Sequence, residues 1–289
     1  MSVNHLWLNV SLLVVAVGCV QVACADETAY QLAYKFERGQ FMHYEVNDHA
    51  EITTQLAANQ SKSVQQTHLL KSFRIVAVDE QGVAVIEPVI EQARMSSTVG
   101  TNQTITFDSA ADTTPPKEFE MIASTIGHPL ARFHLASNGR LIKVNLIVKD
   151  VPKKFSDAAE KTDPTINFLV VFPEKAVKIG EKWSEKYETT VNVSKGLNQP
   201  IKLLKAYELV GVTDNVATIK YRTSLLVPID DPDILRQIAT QTPSGTIEFD
   251  LKQGRIISRS VLIEEKVIGA FGAQTLLQAM GESTEKLLR

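Results

Sequence analysis

The chain has 289 residues, 44% of them hydrophobic, and 30 Lys and Arg against 33 Asp and Glu give a net charge of −3. That length can bury a large core, and a slightly acidic chain with no basic run beyond a pair or so argues against a nucleic-acid partner. Both cysteines, Cys19 and Cys24, fall in the first 25 residues, so a chain without that segment has no disulfide framework, thiolate metal site or cysteine nucleophile.

Residues 6–25, "LWLNVSLLVVAVGCVQVACA", carry no charged side chain and are followed at once by Asp26 and Glu27. A short apolar run closed by small residues, here Ala23 and Ala25, predicts signal-peptidase cleavage after Ala25. Two other readings stay open. The run is about long enough to be an uncleaved membrane anchor, and "AVGC" is a lipoprotein site with Cys19 acylated. The expected location is extracytoplasmic, periplasmic or secreted, and no later apolar run is long enough for a transmembrane span.

Beyond the leader the pattern is one of strands. "GQFMHYEVNDHAEITT" from Gly39 alternates, and "FRIVAVDEQGVAVIEPVI" from Phe73 is two β-rich runs around the turn residues of "DEQG". "VAVIEPVI" is apolar almost throughout and is expected to be central. "PPKEFEMIASTIG" carries Phe119, Ile122 and Ile126 at helical spacing and ends in Gly127. "ARFHLAS" alternates Phe133 and Leu135 with Arg132 and His134, then turns at "NGR". "DVPKKFSDAAEK" is a short helix candidate placed as a linker.

The second half repeats the order. "GEKWSEKYETTVNV" follows Gly180, "YELVGVTDNVATIKYRTSL" follows Tyr207, and "DDPDILRQIATQTP" is a helix with Asp231 as N-cap and Pro232 in its first turn. "IEFDLKQGRIISR" then matches "FHLASNGRLIKV", Gly-Arg for Gly-Arg, with Gly139 and Gly254 where a left-handed turn residue is needed. The separations are 141, 134 and 115 residues (39 to 180, 73 to 207, 139 to 254). Four features recurring in order point to a duplication with unequal loops, and two meanders sharing common turn chemistry would look similar. The C-terminal "AQTLLQAMGESTEKLLR" suits a helix or a closing strand.

The expected fold is mainly β: long curved antiparallel sheets from two related halves, with short helices packed on them. The expected divisions are a leader (1–25), a first half (26–150), a linker (151–170) and a second half (171–289). "FPEKAVKIGEKW" (172–183), "TFDSAADTTPP" (106–116) and the paired Gly-Arg hairpins together resemble a family of secreted bacterial proteins of unknown function, over roughly residues 30–289. That resemblance implies export and assigns no activity. Long strands with short helices on the concave side are also similar in architecture to the periplasmic lipoprotein-carrier fold, and a fold alone does not assign function.

Catalytic motifs do not emerge: there is no G-x-S-x-G, H-E-x-x-H, Walker loop or G-x-G-x-x-G. His43 and His49 share a strand face but stand roughly 20 Å apart by strand rise, too far for one metal. Asp230, Asp231 and Asp233 lack the Gly and distal Glu of a calcium loop and read as helix capping. Asp108-Ser109 reads as a turn, and Trp183 as cover for a sheet edge or core end, with ligand stacking the sharper alternative. Asn59, Asn102 and Asn192 begin Asn-x-Ser/Thr triplets that matter only in a eukaryotic secretory route.

No enzyme, cofactor or metal is therefore expected. The preferred role is a non-catalytic binder or carrier of an apolar small molecule or lipid, its interior lined by residues such as Phe133, Leu135, Ile238 and Phe249. The rivals are a structural or interaction component of the cell envelope, pairing through strand edges, and a hydrolase whose site assembles only in space.

Overall fold

A computed structural model describes residues 28–149, 151–194 and 197–289. The expected leader, with Cys19 and the cleavage expected after Ala25, lies outside the described residues. The fold is mainly β. The first half is a meander of β2 (Phe41–Leu56), β3 (Asn59–Val78), β4 (Ala84–Val99), β6 (Ala131–Leu135) and β7 (Leu141–Leu146), with β5 (Ile105–Asp108) beside β4. The second is β9 (Lys182–Ser194), β10 (Leu197–Thr213), β11 (Val216–Leu225), β12 (Ser244–Asp250) and β13 (Arg255–Ile268). β14 (Thr275–Leu287) joins them by pairing with β13 on one side and β2 on the other, so one antiparallel sheet of 12 strands runs from β7 to β9. β1 (Ala29–Tyr30) and β8 (Val177–Lys178) form a separate two-stranded ladder. The C-terminal segment is thus the closing strand of its two readings.

Strand alternation puts every second residue on one inner face. Tyr207 and Leu209, Ala217, Ile219 and Tyr221, Ile247 and Phe249 are all buried there, as are Tyr44, Phe73, Ile75, Ile86, Phe133 and Leu135 of the first half. β4 lies between β3 and β6, so "VAVIEPVI" runs inside the sheet and not at its edge. Edge strands β7 and β9 do not pair among the described residues, yet Leu141 and Tyr187 wall one cavity, so the sheet curls to bring its edges face to face.

The turns at Gly39 and Gly180 make corresponding backbone bonds. The Gly39 amide donates to Ile75 O (2.9 Å) and the Gly180 amide to Leu209 O (2.7 Å), with φ +84° and +85°. Ile75 N returns a bond to Gln40 O, and Leu209 N to Glu181 O. Bulges follow at Ile75/Ala77 and Leu209/Gly211, and again at His134/Leu135 and Glu248/Phe249. Hairpins β6–β7 and β12–β13 hold the same place in their own meanders. They differ in the whole sheet: β7 is an edge, whereas β13 is covered by β14.

Helices are short. The stripe from Phe119 yields only a turn at Lys117–Phe119 and the four residues of α1 (Glu120–Ala123), because Ser124 and Gly127 stop it within a turn. Phe119 packs on Ala93, Met95 and Phe107. α2 (Lys153–Glu160) packs on β7. α3 (Pro232–Ile238) is capped as its sequence predicts, with Asp231 Oδ1 accepting from Asp233 N at 2.9 Å. Ile234 and Ile238 bury against Val191 and Ile201, so α3 and the Phe119 turn cover the same inner face. Asp231→Ala is expected to cost about 1 kcal/mol in urea denaturation; an unchanged midpoint would mean the cap bond is not formed.

Candidate functional site

The interior is crossed by an extended strap, residues 167–172 ("NFLVVF"), that belongs to no strand. Its backbone polar groups are buried away from a sheet partner and need other bonds. Side chains supply them. Leu169 N donates to Asn167 Oδ1 (3.1 Å), Val170 N to Tyr34 Oη (3.1 Å) and Val171 N to Glu185 Oε1 (3.1 Å). Arg259 donates to Phe168 O (3.1 Å) and Trp183 Nε1 to Val171 O (3.1 Å). Phe168 stacks on Phe73 (4.7 Å between centroids) and meets Phe133 edge-on (5.1 Å), while Phe172 packs on Tyr34 and Phe249.

A second arm, residues 32–36, lies alongside. Tyr34 N donates to Ser137 O (2.6 Å) and Lys35 N to Gly254 O (3.1 Å), while Phe172 N donates to Asn138 O (2.8 Å). The two Gly-Arg turns are therefore the seats on which the arm and the strap dock. A Cβ on Gly139 would overlap Val170 O and lie 2.7 Å from the Tyr34 ring, and one on Gly254 would overlap Lys35 N.

Two cavities flank the strap. One, about 270 Å³, is apolar and is walled by Phe73, Ile90, Leu130, Phe133, Phe155 and Phe168. The other, about 390 Å³, lies between the sheet edges and is walled by Leu141, Leu169, Val171, Glu185, Tyr187 and Lys205, with Arg140 and Lys186 also on its lining. Adjacent strap residues, Phe168 and Leu169, thus wall different cavities. A wider groove of about 690 Å³ runs past His49, His68, Arg94 and Asp108, where Arg94 pairs with Asp108 and His68 Nε2 lies against Glu45, each at 2.9 Å.

The 390 Å³ cavity is electrostatically unusual. Glu185 and Lys205 are cross-strand neighbours on the inner face. Burial raises the Glu185 carboxyl above its ordinary range, although Lys205 and hydrogen bonds from Tyr207 and Val171 pull it down. Burial, aided by Arg259 and opposed by Glu185, lowers the Lys205 ammonium to about 8. The Lys205 Nζ sits 4.9 Å from the Tyr221 ring centroid and 5.6 Å from that of Tyr207, within cation–π range. The Tyr207 phenol, held well above its usual value by burial and by Glu185, donates to Glu185 Oε2 (3.2 Å).

Of the lining expected from sequence, Phe133 walls the apolar cavity. Leu135 is buried in the core of the first half, Phe249 against Tyr34 and Phe172, and Ile238, at the end of α3, against Val191 and Ile201. Trp183 stacks on Tyr207 at 5.4 Å and holds the strap. Asp108 Oδ1 accepts from Ala110 N, and Ser109 Oγ from Ala93 N, as parts of a turn. His43 faces Glu91 and His134 faces Asn145. Among the described residues no group of three or more His, Cys, Asp and Glu could hold a metal, and no helix is long and apolar enough to cross a membrane. Sequence reasoning did not single out Glu185, Lys205 or Phe168. A signal was present for Lys205: in Ile201, Leu203, Lys205, Tyr207, Leu209 it is the charge at an otherwise inward, apolar register.

Residues 144–256 match the model of a family of unknown function, DUF6263. This span starts in β7, takes in the strap, and includes Glu185, Lys205, Tyr207 and Tyr221. No curated protein matches the chain. Among solved structures, one described as lipid–protein interactions in lipovitellin superposes with a TM-score of 0.50 at 10% identity, over 88% of this chain. The chain spans 26% of that protein's length, and the likeness is one of fold. OpdQ of Pseudomonas aeruginosa aligns at 13% identity over 86% of this chain and 66% of its own, with a TM-score of 0.16, too low to bear on the fold.

Proposed function

We propose that this chain is a non-catalytic carrier of an apolar or amphipathic ligand that works outside the cytoplasm. One observation carries the reading: an apolar cavity of about 270 Å³ stands against four phenylalanines on the inner face of a curled sheet. Ligand pockets run to about 300–1,000 Å³, and the two cavities beside the strap together fall in that range. The fold shared with lipovitellin, whose structure concerns lipid–protein interactions, is compatible with such a ligand. The leader motivates the location, and the paired hydrogen bonds at Gly39 and Gly180 support descent from two copies of one meander.

The envelope-interaction rival needs free strand edges. Here α2 packs on β7, and the turn at residues 164–166 contacts β9, leaving less edge to pair with.

Leu130, half-buried at the apolar cavity, is the place to test the reading. Wild-type protein is expected to bind a fluorescent fatty-acid probe at micromolar concentration. Leu130→Trp fills the cavity and is expected to weaken uptake about tenfold while far-ultraviolet circular dichroism stays native. Absence of binding by the wild type would sink the carrier. Hydrolysis of a nitrophenyl acyl ester, abolished by the same substitution, would replace it with an enzyme.

A further inference from the structure

The ammonium of Lys205 is a partly buried cation that makes no direct ion pair. Among the described residues no hydrogen bond or ion pair reaches it; its contacts are the Tyr207 and Tyr221 ring faces. Its cross-strand neighbour Glu185 acts on it through space but turns its oxygens elsewhere, one to Val171 N and the other to the Tyr207 phenol. A partly desolvated ammonium with no direct partner is costly to fold around. Lys205 nonetheless walls the 390 Å³ cavity, whose lining holds Arg140, Lys186 and Lys205 against the single carboxylate Glu185. Arg259 adds a further cation deeper in, where its Nε has no partner. The cavity is therefore built with an excess of positive charge and one unmatched donor group.

We propose that this cavity holds the anionic head group of the carried ligand, a long-chain carboxylate, with the Lys205 ammonium as its ion partner and the tail passing beside the strap into the apolar cavity. The inference rests on the carrier reading and specifies its ligand class. Leu169 faces the head and Phe168, the next residue, faces the tail, so one extended segment contacts both ends of an amphiphile. A carboxylate supplies the direct ion-pair contact that Glu185 does not make, and charge-assisted bonds are the stronger kind. It needs no rearrangement of Glu185, which stays bonded to the strap.

The discriminating variant is Lys205→Met, which keeps the length of the side chain and removes its charge. Removing a partly buried cation with no direct ion pair is expected to leave the melting temperature at or above that of the wild type; a structural role for the charge would lower it. Binding is read with a fluorescent fatty acid and with its methyl ester, on the full chain. Wild type is expected to favour the acid by at least about tenfold, in line with a hydrogen bond to a charged group. Lys205→Met should bind the ester as the wild type does and lose the preference for the acid.

The preference should also decline as pH rises past about 8, where Lys205 deprotonates. Tyr207 on its own strand, Tyr221 on β11 and Tyr187 on β9 are held above the ordinary phenol value by burial, and burial also raises the Glu185 carboxyl on β9. Arg140 and Lys186 on the cavity lining and Arg259 on β13 are the other charged groups around it, and they are the same in wild type and variant. Equal affinity of wild type for acid and ester, or a preference that survives Lys205→Met, overturns the anchor while leaving the carrier intact. Failure to bind either probe removes both.

Discussion

Gly139→Ala and Gly254→Ala are each expected to destabilise the protein by about 2–6 kcal/mol, a large part of the ~5–15 kcal/mol that holds a domain together. Two effects combine. The residues sit at φ +85° and +62°, where an added Cβ strains the backbone by roughly 1–3 kcal/mol. The Cβ also collides with fixed backbone, Val170 O at one site and Lys35 N at the other. Crowding of that kind costs about another 1–3 kcal/mol. Gly82 separates the two. Its φ is +78°, but nothing lies within 4 Å of its virtual Cβ, so Gly82→Ala should lose only the strain. Urea denaturation of the three variants tests this directly. If Gly139→Ala and Gly254→Ala lose no more than Gly82→Ala, the arm and strap do not dock on these turns.

Tyr34→Ala should be comparably severe. The ring is buried and packs on Phe36, Phe172 and Phe249 with centroids 5.1–5.5 Å away, joining the arm to the strap and to β12. Truncating a buried aromatic costs about 3–5 kcal/mol. Tyr34→Phe keeps the packing but orphans the Val170 amide, a loss of about 1–3 kcal/mol. Burial lifts the Tyr34, Tyr44 and Tyr207 phenols well above their ordinary value. The unfolded chain therefore releases protons near pH 10 that the folded chain retains. The stability these neutral phenols support is whole below about pH 10 and declines above it. Lys205 works in the opposite sense between about 8 and its ordinary 10.5, since the unfolded chain holds that proton longer. Lys205→Met should therefore steepen the alkaline loss, and Tyr34→Phe should flatten it. A Tyr34→Phe profile parallel to wild type above pH 10 would mean that Tyr34 is not sealed from solvent.

Much of the site escaped sequence reading for one physical reason. Local pattern reports whether a residue faces in or out, not what it meets there. Leu135 and Phe249 face inward as their alternation says, and each meets close packing rather than a cavity. Phe168 lies in no strand, so no periodicity marks it. It becomes a cavity wall because Arg259, 91 residues later, holds its carbonyl. Lys205 is the partial exception, since a charge in an apolar register stands out in the strand pattern itself. Its lack of a direct ion pair follows from the Glu185 oxygens turning to Val171 N and the Tyr207 phenol. The stripe from Phe119 shows the reverse limit. Its spacing is helical, yet the segment turns only briefly, because packing Phe119 under β4 and β5 needs one turn and Ser124 ends it.

By itself the sequence determined the strand alternation, the cap at Asp231, the left-handed turns at Gly139 and Gly254, and the recurring order of two meanders. Each of these is settled by free-energy differences between neighbouring residues: which φ is tolerated, which face is apolar, which side chain caps an amide. Only the tertiary structure decided that β14 joins the sheet to β2, that arm and strap seat on the two glycine turns, and that Lys205 lines the cavity between the sheet edges with no direct ion pair. Those contacts join residues more than a hundred positions apart in several cases, such as Tyr34 to Val170 and Lys35 to Gly254. They form when chain closure brings separate faces together, and no local preference encodes which faces meet.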